Sequence, residues 1–159
     1  MPDSPSASST RPGLAFEVVG ERLSLQLCGA LWWADAHVLV VSDLHLEKGS
    51  SYAARGQMLP PYDTRATLQR IAALVDALSP VTVISLGDSF HDRNARSRMA
   101  EDDIALVRAM TTGCDWVWIE GNHDPGPPED LGGRTAHELR MGALVFRHTP
   151  TPGHARGEI

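Results

Sequence analysis

Asp43 and His45 stand two residues apart at the end of the apolar run Val41-Ser42-Asp43-Leu44-His45, and both side chains can bind a metal ion. The pattern recurs in Ser85-Leu86-Gly87-Asp88 and in Ile119-Glu120-Gly121-Asn122-His123-Asp124, with His148 further on. Each time, a short hydrophobic segment stops and ligand types begin. At a strand end, side chains i and i+2 project to the same side, so Asp43 and His45 can reach one ion. Asp43, His45, Asp88, Asn122 and His148 together offer carboxylate, imidazole and amide donors without a thiolate. That mixture suits manganese, iron, zinc or cobalt better than calcium or magnesium. The Asp88 carboxylate has two oxygens and can bridge two ions at roughly 3.5 to 4 Å separation. Taken singly each motif is weak, and Gly121-Asn122-His123-Asp124 could be a simple turn. Three in order, each at an expected strand end, point to one metal site.

The elements that must position these residues follow from hydrophobic periodicity. Residues 37 to 42 (HVLVVS), 81 to 86 (VTVISL) and 116 to 119 are apolar runs of strand length, suited to strands covered on both faces. Between the first two, Leu68, Ile71, Ala72, Val75 and Leu78 fall on one face of a helix that Asp63 or Thr64 can cap and Pro80 ends. Between the second and third, Ile104, Val107 and Met110 mark a helix over about 100 to 110. This β-α-β-α-β order predicts a parallel α/β core with right-handed crossovers, whose ligands bind beyond the carboxyl ends of the strands. Residues 16 to 27 read as a hairpin in which Leu23, Leu25 and Leu27 face the core, and Leu31-Trp32-Trp33 as an edge segment or a stretch packed across the sheet. Residues 46 to 61 and 125 to 134 read as loops, and 137 to 148 as a hairpin about Gly142. Trp116 and Trp118 alternate in their strand and are expected in the core, away from any base-stacking role.

The chain has 159 residues, enough for one domain with a sizeable core, and is 42% hydrophobic and 21% charged. Residues 1 to 13, rich in serine and proline, are expected to be a disordered tail, with one domain over 14 to 159. No apolar run reaches membrane-span length and the N-terminus lacks a signal-peptide layout, so the expected location is cytoplasmic, with no membrane partner. Cys28 and Cys114 fit no zinc or disulfide pattern and are expected to be buried thiols. The net charge of -6 argues against an unspecific grip on nucleic acid, but bound divalent cations reverse the local field, so charge excludes nothing.

Asp43-x-His45, Gly87-Asp88, Gly121-Asn122-His123-Asp124 and His148 resemble, in order, the motifs of the calcineurin-like metallophosphoesterases. VSDLHLEKGSSYAARG, LPPYDT, LGDSFHDR and FRHTP are similar to the ligase-associated DNA-damage-response endonuclease branch, and the likeness spans roughly residues 14 to 159. The resemblance implies an α/β fold, a mixed β-sandwich flanked by helices in four layers. It implies two divalent ions, manganese first, with Asp43, His45 and Asp88 on one, Asp88 bridging, and Asn122 and His148 on the other. His123 would stand beside the scissile phosphate to protonate the leaving oxygen, Asp124 would orient it, and a metal-bound hydroxide would attack in line. The activity implied is a phosphodiesterase, a DNA endonuclease of repair, with a repair ligase, helicase and exonuclease as partners. The family's closing Gly-His-x-His motif does not occur before Gly157-Glu158-Ile159, so the chain is expected to be truncated ahead of it.

Several residues stay open. His91 and Asp92 could support the metal ligands, contact substrate, or make a structural hydrogen bond. Arg93, with Arg96 and Arg98, could contact phosphate or form a solvated loop, and Arg55 and Lys48 have the same standing. His37, His137 and His154 read as ordinary surface residues. Two other functions are carried: a phosphodiesterase of small nucleotides, which the acidic charge favours, and a catalytically incomplete interaction module with the same fold.

Overall fold

The structure is a computed structural model, and residues 13–58, 63–122, 129–150, 152–153 and 156–159 are described. The expected N-terminal tail and His154 lie almost wholly or entirely outside these. A sheet of seven strands runs in sequence order: β1 (Leu14–Val18), β2 (Glu21–Leu25), β3 (Leu31–Trp33), β4 (Val38–Val41), β5 (Thr82–Leu86), β6 (Asp115–Ile119) and β7 (Arg134–Ala136). The first four are antiparallel neighbours, whereas β4, β5, β6 and β7 are parallel. A second sheet is the antiparallel hairpin β8 (Leu139–Met141) and β9 (Leu144–Phe146).

Helices α2 (Asp63–Leu78) and α4 (Glu101–Gly113) make the first two of the three crossovers, as the periodicity predicts. Both pack on one face of the large sheet, where Leu68 and Ile71 of α2 and Ile104, Val107 and Met110 of α4 meet Leu39, Val41, Val83, Trp116 and Trp118. The alternate residues Val38, Val40, Ile84, Val117 and Ile119 point to the other face and meet Leu144 and Phe146 of β9. The period of two within each strand thus feeds two cores, and continuous apolar runs are what a doubly covered strand requires. Helices, large sheet and hairpin form three of the expected four layers among the described residues, a mixed α/β sandwich with helices described on one side only.

Local structure departs from the sequence expectation in several places. The loop after β4 holds a helix, α1 (Lys48–Ala53), and the loop after β5 a single turn, α3 (Ala95–Arg98). Asp63 and Thr64 do not serve α2 alone: the Asp63 carboxylate accepts the Gly49 N–H at 3.2 Å and the Thr64 hydroxyl accepts the Glu47 N–H at 2.8 Å. The start of α1 is capped by residues from the start of α2, which no local window of sequence contains. β3 is not an edge, being paired on both sides by β2 and β4. Of the alternating leucines only Leu23 is buried; Leu25, the last residue of β2, and Leu27, in the turn beyond it, are exposed. Cys28 is exposed and Cys114 half-buried, since Cys28 sits on the β2–β3 turn and Cys114 just past the end of α4. Burial raises the Cys114 thiol pKa, and the neighbouring Asp115 charge adds to it.

Candidate metal centre

The carboxyl ends of β4 and β5 are adjacent, and the chain leaves them along parallel paths. Asp43 N–H bonds the Gly87 carbonyl at 3.3 Å, His45 N–H the Asp88 carbonyl at 2.9 Å and Leu46 N–H the Ser89 carbonyl at 2.9 Å. His91 N–H returns to the Leu46 carbonyl at 2.9 Å, and a bridge joins Leu46 to Phe90. Parallel pairing therefore continues beyond the strands, with Leu46 and Phe90 buried as anchors. The backbone has positive φ at Asp43 (51°), His45 (45°) and Asp88 (47°), a region most non-glycine residues avoid. Such a conformation costs of order 1 to 3 kcal/mol and persists where the surroundings impose it. Here the lacing of the two loops imposes it, turning Asp43, His45 and Asp88 toward one another.

Asp43, His45 and Asp88 each offer a ligand atom, all within 4.8 Å of one another. Donors at ~2.1 Å from a shared ion lie at most ~4.2 Å apart, so small side-chain rotations bring the three onto one cation. Asp88 is buried, His45 half-buried and Asp43 exposed, which leaves the site open on the Asp43 side. His148 comes from the segment after β9 and places Nε2 3.5 Å from Asp88 Oδ2. Its Nδ1 lies 3.0 Å from the Leu86 carbonyl, an acceptor, so Nδ1 carries the proton and Nε2 presents its lone pair to the Asp88 side. A carbonyl that fixes the tautomer of an imidazole is the usual companion of a metal-ligating histidine. The donor set and its orientation fit a divalent metal.

The segment bearing His148 is fixed by Arg147, which is nearly buried and pairs with Glu138 at 2.7 Å and Glu158 at 3.2 Å. Gly87 makes the approach of His148 possible: its φ is 75°, and a Cβ there would collide with the imidazole ring. Gly87 is a requirement of the site that the Gly-Asp motif contains but does not explain.

His91 packs edge-on beside His45, with ring centroids 5.9 Å apart, and Tyr52 of α1 lies 5.8 Å from the His91 ring. Tyr52 went unnoticed in the sequence because its segment reads as loop; only the fold brings α1 against the β5 loop. Asp92 turns away to Arg98, 2.8 Å from its carboxylate, and accepts the Asn94 N–H at 2.9 Å. Burial pushes the Asp92 carboxyl up, but hydrogen bonds from Ser51, Arg98 and Asn94 outweigh it and hold the pKa below its ordinary value. Arg96 forms a two-pronged pair with Asp130, so of the three arginines after Asp88 only Arg93 has no ion pair among the described residues. Arg55 and Lys48 have none either. Asn122, exposed, follows β6 at the same edge of the sheet. His123 and Asp124 lie outside the described residues. Trp116 and Trp118 are buried against Phe90 and the helices, as expected.

The chain has close relatives in structure. It matches the crystal structure of Pseudomonas putida nuclease MPE with a TM-score of 0.72 and 30% identity, over 91% of this chain and 70% of that one. No curated protein matches it significantly. The model of the calcineurin-like phosphoesterase family matches residues 36–158, a span that begins just before β4 and contains the ends of all the parallel strands. With Asp43, His45 and Asp88 gathered at those ends and His148 brought against them, the chain belongs to the calcineurin-like phosphoesterase family.

Proposed function

We propose that this phosphoesterase is a manganese-dependent phosphodiesterase that cleaves DNA, a nuclease of DNA repair acting in the cytoplasm with ligase, helicase and exonuclease partners. The observation that carries the reading is the convergence of Asp43, His45, Asp88 and His148 at one sheet edge in a chain similar to a nuclease. Bound there, a pair of divalent ions would lower the pKa of water toward neutrality and offset the charge of a phosphodiester. The protein's own contribution is positional. Asp43, His45 and Asp88 would hold one ion and Asp88, His148 and Asn122 the other, with the carbonyl of Leu86 keeping His148 in the ligating tautomer. His123 is assigned proton donation to the departing oxygen, with Asp124 orienting its ring. His91 packs beside His45, with Tyr52 against it. The working unit is residues 14 to 159.

The test is cleavage of single-stranded and nicked DNA by the full-length protein with Mn²⁺, beside Asp88→Asn and His123→Ala. Asp88→Asn is expected to lose at least about tenfold in metal affinity and activity. His123→Ala is expected to lose about 100-fold or more in kcat. Cleavage by His123→Ala at the wild-type rate removes its assigned role, and absence of metal-dependent cleavage by the wild type removes the proposal.

A further inference from the structure

Beside the metal centre, on its open Asp43 side, lies a cavity of about 270 Å³. Its walls come from three elements: the β2–β3 turn at Cys28, the end of β4 at Asp43 and Leu44, and the face of α2 bearing Thr67 and Arg70. The turn is closed by Gln26 N–H to the Ala30 carbonyl at 2.7 Å and Gly29 N–H to the Gln26 carbonyl at 2.9 Å, so that wall is preformed. Its lining combines the apolar Val41, Leu44, Ile71 and Leu74 with the polar Thr67 and Arg70.

Arg70 is exposed and has no ion pair or hydrogen bond among the described residues. Most of the arginines are otherwise engaged: Arg22 with Asp35, Arg65 with Asp103, Arg96 and Arg108 with Asp130, Arg134 with Asp115. A guanidinium free beside a carboxylate cluster that binds cations is set to hold an anion, and its fork matches phosphate oxygens. Two other cavities among the described residues lack this combination. The one of about 520 Å³ between α2 and α4 opens at the far end of the sheet, near Pro80 and Cys114, and the one along β2 contains an arginine already paired.

We propose that the Cys28–Asp43–Arg70 cavity is a subsite for the nucleotide adjoining the scissile phosphate, with Arg70 binding the flanking phosphate. The proposal rests on the phosphodiesterase reading. A volume of 270 Å³ is just under the range of ligand pockets, about 300 to 1,000 Å³, and suits one nucleotide unit of a longer strand. Its sugar and base lie along Val41, Leu44, Ile71 and Leu74, and Thr67 donates to the same phosphate. The metal centre would act on any phosphodiester; this subsite selects a polymer over a minimal ester.

The experiment compares wild type and Arg70→Ala, both full-length with Mn²⁺, on a single-stranded oligodeoxynucleotide and on bis(p-nitrophenyl) phosphate, which is too small to span both sites. The ratio of kcat/KM for oligonucleotide over small ester is expected to fall by about tenfold, through KM. The slope of log Kd on log salt for the oligonucleotide is expected to drop by about 0.7. Exposed Cys28 at the cavity supplies a second readout: the oligonucleotide should slow its modification by a maleimide relative to half-buried Cys114. An unchanged ratio, a parallel loss on both substrates, or Cys28 modified at the same rate with and without oligonucleotide overturns the subsite. If the wild type cleaves neither substrate, the phosphodiesterase reading fails, and Cys28 protection alone then decides whether the cavity binds a strand.

Discussion

The imidazole of His148 fills the space that a side chain at Gly87 would occupy. Two residues 61 positions apart thus share one volume, and the glycine immediately before Asp88 is what allows a histidine to stand over that carboxylate. A left-handed φ of 75° adds a second reason for glycine.

Gly87→Ala is expected to destabilise the protein by about 1 to 3 kcal/mol in urea unfolding. Displacing the ring should also weaken divalent binding at least about tenfold by calorimetric titration. In the Gly87→Ala, His148→Ala double variant the collision disappears and only the φ penalty remains. The two stability losses should therefore be less than additive; strict additivity would show that the ring and the glycine are independent.

Acid should loosen the corner where α3, α4 and the turn at Glu129–Leu131 meet. Asp130 there is held below the ordinary carboxylate value of 3.8 by hydrogen bonding from Arg96, then by the charges of Arg96 and Arg108. A depressed folded-state pKa contributes stability that is present above the unfolded value near 3.8 and lost as pH falls through the lower folded value. The Asp115 carboxyl, lowered by its hydrogen bond from Arg134 where β6 meets β7, adds to the same window. Thermal melts of Asp130→Asn and wild type should converge below that window and diverge above it, with wild type the more stable. A gap that stays constant across pH would contradict the assignment.

The two buried tryptophans of β6 should not be equivalent. Trp118 donates its indole N–H to the Gly132 carbonyl at 2.9 Å, whereas the Trp116 indole N–H has no partner among the described residues. Both replacements by phenylalanine lose volume, but only Trp118→Phe strands a carbonyl. Its cost in urea unfolding should exceed that of Trp116→Phe by about 1 kcal/mol.

The parallel core was legible because Val38, Val40, Val83, Ile84 and Val117 form unbroken apolar runs that only a doubly covered strand needs. The convergence of Asp43, His45 and Asp88 was legible for the same reason: these candidate ligands stand where those runs stop. What escaped is what depends on distant partners. α1 is capped from α2, β7 joins the sheet through pairing with β6, and Tyr52 gains a role only once α1 lies against His91. Arg70 reads in sequence as one more charged position on a helix, and it acquires meaning from a turn 40 residues upstream that closes a cavity around it.

The backbone ties between residues 43–46 and 87–91 have a consequence for ion choice. Because the two ligand-bearing loops are sewn to each other and to Leu46 and Phe90, the spacing of Asp43, His45 and Asp88 is set before any cation arrives. Little ordering entropy remains to be spent on capture, and little freedom remains to contract or dilate around the guest. Such a frame discriminates by ionic radius and coordination preference, so that swapping metals should alter turnover far more than it alters the shape of the protein.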